Sequence, residues 1–239
     1  MTLMAHRGGW QATPADLASV SVPDDTDTWK AVPYPRLLEE VKLHLPRFGL
    51  TIEREQYALA RDGNQMFGVI DTKNGHPDSD WGMAIGIRSS YDRSLAVDLV
   101  AGARVFVCDN LSFHGESQAT RKHTVNIWRD LPSLIYDMLA AVSVLKTKMA
   151  ADIDQMRDTQ LTSEQAHHIM VMAVRANAIP ASKLPRVIAG YDDLDNPEFG
   201  QHSAWALFNA FTAFAGTQQP WQQMDNTLRL TEVFRAALN

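Results

Sequence analysis

Between Trp81 and Ile87 the chain alternates large and nearly absent side chains: Trp81, Met83, Ile85 and Ile87 fall on one parity, Gly82, Ala84 and Gly86 on the other. A period of two is that of a β-strand, and this one has a bulky face and an almost bare one. A bare face has no side chains with which to fill space, so another backbone, a helix or a ligand must come close to it. The segment therefore demands a sheet with partners on both sides.

Neighbouring segments supply the sheet. Thr51 to Ala60 and Gln65 to Thr72 read as strands joined by Arg61-Asp62-Gly63-Asn64, and Asp-Gly between apolar runs is a strong hairpin signal. After Ser89 to Gly102, in which one helical turn fits, Ala103 to Cys108 reads as a fourth strand bounded by Asp109-Asn110. Upstream, Leu37, Leu38, Val41, Leu43 and Leu45 have helical spacing, giving a short helix that ends near Pro46. Residues 1–30, with Gly8, Gly9, Pro14, Pro23 and the acidic Asp24, Asp25 and Asp27, read as an extended arm.

From Leu131 the period becomes helical. Leu134, Ile135, Met138, Leu139, Val142, Leu145, Met149, Ile153 and Met156 describe one long amphipathic helix, with Asp130 as its cap and Pro132 in its first turn. Thr162-Ser-Glu-Gln165 is a capping-box sequence, Ser203 precedes a very apolar helix, and Asp225 or Asn226 opens the last one. The fold class expected is α+β: an antiparallel sheet of about four strands covered by a long helix over 31–157, followed by a helical C-terminal subdomain over 158–239.

Composition narrows the function. With 45% apolar and 21% charged residues the chain is an ordinary globular one, and it contains no apolar run of membrane-spanning length. Its start lacks the pattern of a secretory signal. A single cysteine, Cys108, forms no internal disulfide, which suits a reducing cytoplasm. A formal charge of −6 argues against attraction of the whole molecule to polyanions, so any nucleic-acid site must be a local basic patch.

No catalytic motif emerges. His114, Glu116 and His123, and the adjacent His167 and His168, match no zinc spacing, so no metal is expected. Cys108 lies in an apolar strand and reads as a core residue. There is no Walker loop and no other cofactor pattern. Asp71-Thr72-Lys73 resembles half of a metal-dependent nuclease site, but no Pro-Asp partner strand precedes it at suitable distance, and the following Asn74-Gly75 makes it an ordinary turn.

The segment from Arg88 to Arg129 is richer. It carries Arg88, Arg93, Arg104, Arg121, Lys122 and Arg129 with Tyr91, His114, His123 and Trp128 among them, and Ser117 to Trp128 has no acidic residue. Cations interleaved with aromatics suit single-stranded nucleic acid, because cations meet phosphates while ring faces stack on bases. Arg88, Tyr91, Arg93, Arg104, Arg121, Lys122 and His123 are the binding residues expected on this reading. Arg104 shares a strand face with Phe106 and Cys108, so it needs a partner, Asp92 or Asp109, or a phosphate.

Gly86 to Ser94, Arg104 to Asn110 and Lys122-His-Thr124 together resemble the signature of a domain-of-unknown-function family described as phage/plasmid-like proteins, carried by prophages, plasmids and genomic islands. Ala204-Trp-Ala-Leu-Phe-Asn-Ala210 is similar to a helix of the same family, so the resemblance spans about 35–239. Tyr91, Asp92, Ser94, Arg104, Cys108, Asn110 and His123 match the pattern. Ser90, Arg93 and Leu111 depart from it, standing where the family has Asn, Gly and Gly. The resemblance implies an accessory protein of a mobile element in the bacterial cytoplasm. The order hairpin, strand, strand, long helix is also similar to the core of single-strand annealing recombinases, which need a basic groove and no catalytic residue. The expected function is therefore non-enzymatic binding, extending to annealing, of single-stranded DNA by a homo-oligomer. The alternatives are a protein-binding modulator of a host defence or replication factor, and a metal-dependent nuclease.

Overall fold

Alternation and turn chemistry produce an antiparallel meander. The computed structural model describes residues 9–73, 81–105, 110–192, 202–215 and 220–238. Its six strands pair in chain order: β1 (Trp10–Ala12), β2 (Ile52–Ala60), β3 (Gln65–Thr72), β4 (Trp81–Ser90), β5 (Val97–Val105) and β6 (Asn110–Arg121). Arg61, Asp62 and Gly63 all take positive φ in the β2–β3 turn, the left-handed region that makes Asp-Gly a hairpin sequence.

Both faces of this sheet are used. On the first lie Tyr57, Leu59, Met66, Ile70, Met83, Ile85, Ile87 and Leu99, buried against Leu37, Leu38 and Val41 of α2 (Tyr34–His44) and Leu131, Ile135 and Met138 of α3 (Ile127–Ala140). Gly68 stands opposite Tyr57, and a methyl group there would sit 3.0 Å from the ring. The second face holds a smaller cluster, Ala58, Phe67, Val69, Ala84 and Val100, in which Ala84 belongs to the bare side of β4. Leu228 of the last helix packs on it, so a helix meets that face as the alternation requires.

After α3, the helices α4 (Val142–Asp158), α5 (Ser163–Arg175), α6 (Leu184–Asp192), α7 (Ala204–Ala215) and α8 (Pro220–Leu238) form the C-terminal array. Packing pairs α4 with α7, α5 with α8, and α6 and α8 with α7, while α8 also lies along β6. One cluster of buried residues runs from Ala12 through the sheet to Phe234. Thr162 and Gln165 form the expected capping box, and the Ser203 hydroxyl accepts from the Ala206 N–H.

The sheet is thus larger than expected. Residues 97–105 and 110–121 are two strands, where the sequence suggested a helical turn and a single strand over 103–108. Phe106, Cys108 and Asp109 lie outside the described residues. The long helix begins earlier, at Ile127, with no side-chain cap from Asp130, and it divides at Ala141, whose ψ of −14° flattens the turn. Neither proline nor glycine marks that break. The last helix opens at Pro220 rather than at Asp225 or Asn226. No helix among the described residues is long and apolar enough to cross a membrane.

The arm is also more built than its composition suggests. Beyond β1 it contains α1 (Pro14–Ser19), opened by a capping box between Thr13 and Asp16. Leu17 is 1% exposed, Trp29 and Ala31 are buried, and the Lys30 N–H donates to the His123 carbonyl at 3.2 Å. Leu17→Ala should therefore cost about 2–4 kcal/mol in urea denaturation, whereas a free arm would tolerate it without loss.

Candidate nucleic-acid interface

Four connections meet at one end of the sheet: the hairpin turn 61–64, the β4–β5 loop 91–96, the β6–α3 loop 122–126, and the chain from Trp29 into α2. Tyr34 and Tyr91 join them. Their rings stack at 4.0 Å and 2° between planes, the Tyr34 hydroxyl donates to the Gly63 carbonyl, and the Tyr34 N–H donates to the Tyr91 oxygen. Burial pushes both phenols above their ordinary range, so they stay neutral.

Asp92 organises the β4–β5 loop. Its Oδ1 accepts from the Ser94 N–H at 3.0 Å and from the Ser94 hydroxyl, while its Oδ2 takes Arg61 Nη1 at 3.1 Å. Gln65 Nε2 donates to Ser94 Oγ at 2.6 Å, tying the loop to β3. Desolvation alone would raise the Asp92 pKa; the bonds from Ser94, Ser90 and Arg61 outweigh it and hold the carboxyl below its usual range. Within this Asx turn Arg93 adopts φ +63°, a conformation natural to glycine, and its guanidinium lies 5.0 Å from the centre of the Trp29 ring.

Trp29 also stacks on His123, 5.5 Å away and 18° from parallel. His123 Nδ1 lies 3.0 Å from the Lys30 carbonyl, which fixes the proton on that nitrogen and leaves Nε2 to accept from the Ser89 hydroxyl at 3.3 Å. Lys30 Nζ is held by Asp25 at 2.8 Å. Nearby, Arg36 of α2 lies 3.7 Å above the ring of Trp128 in the first turn of α3. Asp130 pairs with Arg121 and with Arg129, whereas Lys122 is exposed and has no carboxylate partner among the described residues.

The seven expected binding residues do not form one patch. Tyr91, Arg93, Arg121, Lys122 and His123 converge here with Asp92 and Ser94. Arg88 lies inward on the second face of the sheet, where Nε and Nη2 donate to Asp98 Oδ2 at 3.0 and 2.7 Å and Nη2 meets Asp225 at 2.9 Å. Burial would lower the Arg88 pKa, but the bond to Asp225 and the charges of Asp98 and Asp225 raise it above the ordinary arginine value. Arg104 and Asn110 sit at the opposite end, in register with Leu111 and Val105. Six residue steps along β5 lead from Asp98 to Arg104, about 20 Å. Asp92 bonds Arg61, while the strand position of Arg104, the other partner expected for it, lies at the opposite end of the sheet.

Trp29, Tyr34, Arg36 and Arg61 belong to this end but were not singled out by sequence. They come from the arm, α2 and the hairpin, and only the fold brings them to loop 91–96. Asp71, the carboxylate of the nuclease-like tripeptide, is buried and bonded by Arg54 Nε at 2.9 Å. Among the described residues no group of three or more His, Cys, Asp or Glu side chains is placed to hold a metal ion. No protein-family model matches the chain, and no curated protein or solved structure matches it either.

Burial lowers the His123 pKa below the ordinary 6.5, against the smaller opposing effect of the Lys30 carbonyl. A depressed histidine stabilises the fold fully above its unfolded pKa, and that contribution is lost as pH falls, because the unfolded chain then takes up a proton the folded one resists. The melting temperature should fall between about pH 7 and pH 5. His123→Gln should melt lower at neutral pH and show a shallower acid dependence in the same scan.

Proposed function

We propose that this chain is a non-enzymatic accessory protein of a phage or plasmid that binds, and in its oligomeric form anneals, single-stranded DNA along the end of the sheet carrying Arg93 and Lys122. The observation that carries the reading is the pairing of cations with indoles there. Arg93 lies on Trp29, Arg36 lies on Trp128, and exposed Lys122 opens the β6–α3 loop that leads to Trp128.

A guanidinium over an indole keeps N–H donors for a phosphate beside an aromatic surface on which a base can stack, which suits unpaired nucleotides. The amino ends of α2 and α3 lie beside these pairs and add partial positive charge. Arg93 holds a backbone conformation that costs a non-glycine residue about 1 kcal/mol, which supports a role for its side chain beyond the turn. The resemblance to phage/plasmid-like proteins gives the genetic context. Assembly of several copies would multiply a local patch into the avidity that a chain of net charge −6 otherwise lacks.

A second reading, a modulator that binds a host protein, is favoured by the exposed apolar side chains Leu43 and Tyr136 on the neighbouring α2 and α3. Anisotropy titrations with a labelled oligothymidylate at low salt separate the two. Micromolar binding is expected, with Arg93→Ala and Lys122→Ala each weakening it and making the salt slope shallower by about 0.7. Absence of any anisotropy change at about 50 µM protein overturns the nucleic-acid reading.

A further inference from the structure

Arg88 was expected at the nucleic-acid surface, and the structure gives it a different neighbour. It stands three residues before Tyr91, about 10 Å inward from the loop that carries Arg93. Its side chain rises on the second face of the sheet, in register between Phe67 of β3 and Asp98 of β5. Two carboxylates compete for it. Asp98 is buried, belongs to the adjacent strand, and is further held by Gln118 Nε2 at 2.9 Å and the Thr120 hydroxyl at 2.5 Å. Asp225 comes from α8, is 44% exposed, and reaches Nη2 from the solvent side at 2.9 Å.

The two carboxylates have different work. Asp98 pairs with the guanidinium within the sheet and, at 3% side-chain exposure, is out of reach of solvent. Asp225 is surplus to that balance, leaving the triad with one excess negative charge. Asp225 and Leu228 are three residues apart and so share one side of α8. Together they present to the sheet a carboxylate for Arg88 and an apolar group for the cluster containing Phe67 and Val100.

We infer that Arg88 is a phosphate subsite of the single-strand path, and that Asp225 of α8 occupies it within the chain as a competing anion. The inference rests on the proposed binding at the sheet end and extends that path by one phosphate onto the second face. A carboxylate and a phosphodiester oxygen offer a guanidinium the same acceptor geometry. A bound strand therefore has to displace Asp225 while Asp98 keeps Arg88 in position. The N-terminal half of α8 then restrains binding, and its C-terminal half, with Leu230, Val233 and Phe234 buried in the helical core, stays anchored.

The test compares wild type, Asp225→Asn and Asp154→Asn by anisotropy with a labelled oligothymidylate of about 15 nucleotides. Asp154 is exposed on α4, so its variant carries the same charge change at another place. Melting temperatures of all three should agree within about 2 °C, since exposed charges contribute little. Asp225→Asn should bind about three- to fivefold more tightly than wild type, with a salt slope steeper by about 0.7, and Asp154→Asn should match wild type. If wild type binds but Asp225→Asn behaves like Asp154→Asn, the inference is overturned and the proposed function stands. If none of the three binds, the proposed function falls and the subsite with it.

Discussion

A carboxylate buried at the centre of three strands sets the terms for much of this molecule. Asp98 accepts from Arg88 on β4 and from Gln118 and Thr120 on β6, so one side chain of β5 ties both its neighbours. Removing Arg88 would leave a buried charge without its counterion, a loss of about 3–5 kcal/mol. The polar knot has structural consequences on either side. It lies between the apolar cluster of the second face and the loops at the sheet end, and α8 approaches the sheet where that knot offers it a cation. β4, β5, β6 and α8 thus meet around one carboxylate and its guanidinium.

The fold was legible where local chemistry is strict. Asp62-Gly63 marks the hairpin because the turn needs positive φ, and the alternation from Trp81 to Ile87 marks a strand covered twice. Thr162 with Gln165, and Ser203, mark helix starts because a hydroxyl at that position satisfies an otherwise unbonded N–H. β6 was not legible. Its sequence, Asn-Leu-Ser-Phe-His-Gly-Glu-Ser-Gln-Ala-Thr-Arg, is too polar to show a buried face, and it becomes a strand through its pairing with β5. The division at Ala141 has no local signal, since the apolar stripe runs through it unbroken. Nor does composition reveal that Leu17 anchors an arm rich in proline, glycine and aspartate.

Site residues were legible as types and not as places. The run from Arg88 to Arg129 does contain Arg93, Lys122 and His123, which meet at one end of the sheet. Strand geometry removes two others: the period of two turns Arg88 to the face opposite Ser89 and His123, and a rise of about 3.3 Å per residue carries Arg104 to the far end. The indoles that receive Arg93 and Arg36 come from distant segments, and no spacing in the sequence connects Trp29 with loop 91–96.

The strand order carries a consequence for how the molecule assembles. From β2 to β6 every strand pairs with its successor in the chain, so the sheet can grow by adding hairpins without closing long loops. Contacts distant in sequence then close on it: β1 returns to β2 across α2, Lys30 meets His123, and α8 returns to Arg88. β1 and α8 each dock on a surface that the strands make. Loop-closure entropy accordingly favours pairing of the strands before the arm and α8 dock. While α8 is undocked, the second face of the sheet, with Phe67, Val69 and Val100, lies open to solvent.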